Sequence, residues 1–150
     1  MKEFDPGESA SIVSVTDRVR PLALGMAVSS VHFLVDRAFF VGTEENVAIA
    51  GIEGEISPTA VHGGAILCAA SDGKRVVMGG DDGKLVALNA KGEITLLATD
   101  AKRRWIDNVA LHPDGAFAWS AGKTAFVRSG KAGISGMGRL ASRRHLQPGQ

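Results

Sequence analysis

Three short apolar runs recur along the chain at a fixed distance: Val47, Ala48 and Ile49; Val86, Ala87 and Leu88; Ala125, Phe126 and Val127. Ile49, Leu88 and Val127 are spaced by 39 and again by 39 residues. Such a period constrains the fold more than composition does. Each unit of a repeat architecture is one small supersecondary element that buries its apolar face only against its neighbours.

The surroundings of these runs repeat as well. Each follows another strand-like run, at residues 38–41, 75–78 and 116–119, across the turns 42–46, 79–84 and 121–123. Those turns are rich in Gly, Asn and Asp, which supply the positive φ of tight antiparallel hairpins. A third run precedes each hairpin, at 31–34, 66–69 and 109–111. It joins the hairpin through Asp36 and Arg37, through residues 71–74 containing Asp72-Gly73, and through residues 112–115 containing Asp114-Gly115, the last two being strong turn signals. Outer runs follow the first two hairpins at 56–61 and 94–98. The expectation is an all-β chain of four-stranded antiparallel units.

Residues 109–122, with His112-Pro113-Asp114-Gly115 leading into the second strand, resemble a unit of the WD40-repeat β-propeller family. So do His62-Gly63-Gly64, then Ile66, Asp72-Gly73 and Asp82-Gly83. The likeness is to divergent bacterial members and covers about residues 26–130. It departs from the family at the end of the third strand, where Ile49-Ala50, Leu88-Asn89 and Val127-Arg128 replace Trp-Asp. Of the buried hydrogen-bonding set of strong WD40 units, only His62 and either Asp81 or Asp82 are candidate members. The resemblance implies about three blades, at 26–61, 62–100 and 101–130, with His62, Asp72, Gly73, Asp82, Gly83, Asp114 and Gly115 as structural repeat positions.

Three blades do not make a ring, since propellers close with about four to eight. The periodic pattern stops at Gly130. Residues 131–150 are an irregular, Gly-rich basic tail, so the expectation is a truncation or reading-frame change near residue 131 of a longer propeller. A natural disordered tail is the alternative. Residues 1–25 form an N-terminal segment in which the β-prone run 11–15 is a candidate closing outer strand. Open blade faces predict self-association.

Charge narrows the partners. The net charge is +1, but residues 1–130 hold 13 basic against 16 acidic residues, which is no nucleic-acid platform. One cysteine, Cys68, excludes a disulfide framework and reads as core. The acidic start is unlike a secretory signal, and the apolar stretch 22–35 is too short to span a bilayer, so a cytoplasmic chain without membrane contact is expected.

No catalytic, cofactor or metal site is expected. Gly122-Lys123-Thr124 resembles the end of a phosphate loop, but Phe117 stands where its first Gly belongs and a strand follows. His32, His62, His112 and His145 show no metal-ligand spacing. Ser71 and Ser120 form no nucleophile elbow.

The one cluster that stands out is Lys102, Arg103, Arg104 and Trp105, in a connection that opens on one rim of a propeller beside the loop 62–64. Cations next to an indole suit an acidic partner, because Arg and Trp dominate interface hot spots. The alternative is a solvated loop whose Trp105 packs under the sheet edge. Together these features predict a non-catalytic interaction scaffold with protein partners. An enzyme or metal-binding propeller with its site in missing blades, and a weak nucleic-acid binder using residues 102–105, are the competing readings.

Overall fold

The computed structural model describes residues 18–130. Within them, eleven strands form three antiparallel sheets, and there is no α-helix. The first sheet is a meander of β1 (Val28–Leu34), β2 (Arg37–Gly42), β3 (Asn46–Ala50) and β4 (Ile56–Ala60). The second repeats it with β5 (Ile66–Ser71), β6 (Arg75–Gly80), β7 (Lys84–Asn89) and β8 (Ile94–Thr99). The third has three strands, β9 (Ile106–Leu111), β10 (Phe117–Ala121) and β11 (Thr124–Arg128). All eleven overlap the eleven runs read from the sequence, β1 and β9 beginning three residues before theirs. The candidate strand at 11–15 and the tail 131–150, including His145, fall outside the described residues.

The sheets stack face to face, with the second in the middle. Successive side chains of a strand point to opposite faces. Val76 and Met78 of β6 and Val86 and Leu88 of β7 therefore meet Leu34, Phe39, Val41, Val47 and Ile49 of the first sheet. Val77, Leu85 and Ala87, on the opposite face, meet Ile106, Phe117 and Ala121 of the third. This explains why β6 and β7 are continuously apolar rather than alternating: both faces are covered. Each of the Val, Leu, Ile, Met and Phe side chains among these, taken fully out of water, contributes about 1.5–3 kcal/mol.

The junction between the second and third sheets is close. A Cβ on Gly79 would lie 2.5 Å from both Cγ2 and the carbonyl oxygen of Ile106, and 2.9 Å from Cys68 Sγ. Only glycine lets β6 approach β9 this far. Cys68 is half-buried and its Sγ donates to the Ile106 carbonyl at 3.5 Å. Burial pushes its thiol up to about 11, so it is no ready thiolate.

The face register corrects the uniform spacing. Ile49 and Leu88 point at each other across the first junction, while Val127 points away from the second sheet and is exposed. The residues that share a direction are Ile49, Ala87 and Val127, 38 and then 40 residues apart. A slip of one residue moves a side chain to the other face, so a mean period of 39 locates strands without assigning faces.

The turns follow their residues. Gly73, Gly83, Gly115 and Gly122 all have positive φ. Asp72 Oδ1 accepts from Lys74 N and Arg75 N, and Asp114 Oδ1 accepts from Ala116 N, at 2.9–3.0 Å. The β1–β2 turn differs from its expected place. It is formed by Val35 and Asp36 rather than Asp36 and Arg37, and Val35 adopts φ 58° with no glycine to relieve it.

Candidate functional site: the rim between the second and third sheets

One rim of the stack is made by three hairpin turns and the two connections between sheets. The β2–β3 turn receives the first connection, with Val61 N and Ile66 N donating to the carbonyls of Glu45 and Glu44. Asp81 N donates to Ala65 O, and Asp100 N to Gly83 O at 2.8 Å, so the β6–β7 turn is held by both connections. The loops 62–64 and 102–105 thus lie on the same rim, on either side of residues 81–83.

The first connection is locked inward. The His62 side chain is fully buried. Its Nδ1 lies 3.0 Å from the Asp82 carboxylate and its Nε2 3.3 Å from the Met78 carbonyl oxygen. Asp82 also accepts from Gly63 N and Lys84 N. Burial works to raise the Asp82 carboxyl, but the bonds from Gly63, His62 and Lys84 outweigh it and hold the group below the usual carboxylate range. Of the two aspartates the sequence left open, Asp82 is the partner of His62, and Asp81 instead accepts from Ala65 N at 3.0 Å.

The second connection is built around Asp100, which the sequence reading did not single out. Its carboxylate accepts from Lys102 N, from Arg104 N, and from Arg104 Nε and Nη2 at 2.9 and 2.8 Å. The Arg104 hydrogen bond, joined by those from the backbone and opposed by burial, holds the Asp100 carboxyl below its ordinary range. The same bond raises the Arg104 guanidinium. Arg104 Nη1 also donates to Thr124 Oγ1 at 3.3 Å, bridging to the third sheet. An Asp followed by backbone donors two and four residues on, with an Arg at the fourth, was the available signal.

The cluster of four therefore divides. Arg104 is a structural clasp. Lys102 and Arg103 are exposed, with no ion-pair partner among the described residues, and Trp105 is 62% exposed rather than packed under a sheet edge. Arg103 adopts φ 57°, and its Cα rides over Gly83, where a Cβ would approach to 2.9 Å. The loop is thus fixed by its backbone while two cations and an indole face outward. Such a surface can pair with carboxylates or phosphates and cover an apolar side chain.

The remaining candidates lie elsewhere. Asp72 and Gly73 occupy the β5–β6 turn at the opposite rim, where Arg75 donates to the Gly115 carbonyl and stands 5.4 Å from the Phe117 ring centroid. Asp114 and Gly115 form the β9–β10 turn, where His112 pairs with Asp114 in the open. Gly122 and Lys123 are the tight β10–β11 turn. Burial lowers the pKa of His32, whose Nε2 lies 3.0 Å from Ser30 Oγ. Among the described residues, no three His, Cys, Asp or Glu side chains gather as a metal requires, and no helix is long and apolar enough to cross a membrane.

No protein-family model matches this chain, and no curated protein matches it in sequence.

Proposed function

We propose that the chain is a section of a WD40-like β-propeller and serves as a non-catalytic protein-interaction scaffold, binding an acidic partner segment through Lys102, Arg103 and Trp105. Three meandering sheets stacked through their faces, with loops gathered on one rim, support the blade reading. The observation that carries the binding reading is the fixed loop at residues 100–105. Asp100 and Arg104 hold its backbone while Trp105 is left 62% exposed beside two cations that have no ion-pair partner among the described residues. An exposed indole on an ordered loop contributes nothing to the core and is preorganised for a partner.

The test uses a fluorescently labelled peptide of alternating Glu and Leu, read by anisotropy against the full chain. Trp105→Ala and the pair Lys102→Glu with Arg103→Glu should each weaken binding by about tenfold or more. Their thermal unfolding should match the parent chain. Binding unchanged by both variants overturns the proposal. So does a single-stranded oligonucleotide that binds more tightly than the peptide with a steep salt dependence.

A further inference from the structure

We propose that copies of this chain associate head to tail, the free face of the first sheet of one copy seating on the free face of the third sheet of a second copy. The second sheet shows what both faces of such a unit do inside the chain. Its leading face, with Ala69 and Met78, packs on the first sheet, and its trailing face, with Val77 and Ala87, receives the third. Among the described residues, the leading face of the first sheet leaves Val31 and Phe33 exposed, and the trailing face of the third leaves Val127 exposed.

The open faces carry the residues that this stacking uses. Val31 and Phe40 are cross-strand partners, as Ala69 and Met78 are in the second sheet and Val109 and Trp119 in the third. The latter two pairs pack on the preceding sheet, whereas Val31 is 51% and its neighbour Phe33 68% exposed. Ala48 and Ala50, farther along the same face on β3, are already buried, so the open part is the β1–β2 half. On the third sheet, Ala110, Ala118 and Val127 share one ladder position, the counterpart of Ala70, Val77 and Ala87.

Size and charge agree with this pairing. Around Gly79 the second sheet offers small side chains, Cys68 and Ala87, beside Val77 and Leu85, to the aromatic row Phe117, Trp119 and Phe126. The trailing face of the third sheet is likewise small, with a shallow depression of about 390 Å³ lined by Ala110, His112, Ala118 and Val127. The bulky Val31, Phe33 and Phe40 of a second copy supply the complementary relief. Stacking in the same sense also brings the exposed Glu44 and Glu45 of one copy to the rim position next to the exposed Lys123 of the other. The contact is heterologous, so copies add in a ring or a row rather than as a two-fold dimer.

Sedimentation velocity on the full chain across a broad concentration range tests this. The parent chain should grow in mass with concentration. Phe33→Glu and Val127→Glu, both changes at exposed side chains that leave thermal unfolding unaltered, should each remain monomeric, with Val31→Glu repeating the Phe33 result. Mixing Phe33→Glu with Val127→Glu should restore one-to-one dimers, because each keeps the face that the other has lost. A parent chain that stays monomeric overturns the proposal. Either variant associating alone overturns it too, since that requires a symmetric contact or another surface.

Discussion

The two junctions in this stack are built from different material. Between the first and second sheets, eleven buried side chains interlock, all aliphatic or Met except Phe39, and the connection above them ends in a fully buried imidazole. Between the second and third, six buried residues are flanked by half-buried Val109, Leu111, Trp119 and Phe126, and the connection ends in an Asp–Arg clasp with its neighbours exposed. The difference shows how one repeated unit fixes its connections in two ways. In the first connection the one polar side chain, His62, turns inward against Asp82. The second, held by a single internal pair, is equally fixed but leaves Lys102, Arg103 and Trp105 outward.

The comparison breaks most visibly in the cores. Leu88 is fully buried in the first junction and Leu111 half-buried in the second. Leu88→Ala should cost about 2–5 kcal/mol, and Leu111→Ala about half as much, by urea unfolding. Equal costs would show that the second junction is as tightly packed as the first.

The clasps come next. Asp82→Ala leaves the buried His62 Nδ1 without its partner and should cost about 2–3 kcal/mol, whereas Asp100→Ala leaves groups that water reaches more easily and should cost about 1–2. Thermal melts of the two variants, with His62→Ala combined into the first, check this. A double variant no worse than Asp82→Ala is expected, because the pair acts as one unit.

Acid is the mildest probe. Both carboxyls lie below their ordinary value in the folded chain, so as pH falls the unfolded chain takes up protons first. Their contribution is complete above the unfolded carboxylate value near 3.8 and is lost as pH falls through the folded values. Unfolding midpoints measured from neutral to about pH 2 should decline at the acid end, and Asp82→Asn with Asp100→Asn should flatten that limb.

Much of the fold is legible in the residues. Continuous runs such as Val76-Val77-Met78, set off by Asp-Gly turns, announce doubly covered strands because Gly tolerates the positive φ that ends them. Less of the site is legible. Trp105 and its cations are conspicuous as a string of letters, yet the same string holds Arg104, which is turned inward, and Arg103, which is not. Asp100 sits outside the cluster and fixes it, and only the hydrogen bonds separate these roles.

The sequence by itself determined the strands, their turns and their grouping in threes and fours, since these depend on local propensity and on contacts a few residues apart. The tertiary structure decided which face each strand presents, which aspartate meets His62, and which of four adjacent residues stays in water. Those outcomes depend on register, where one residue more or less in a turn reverses every side chain, and on the close approach of sheets that lie about 40 residues apart along the chain.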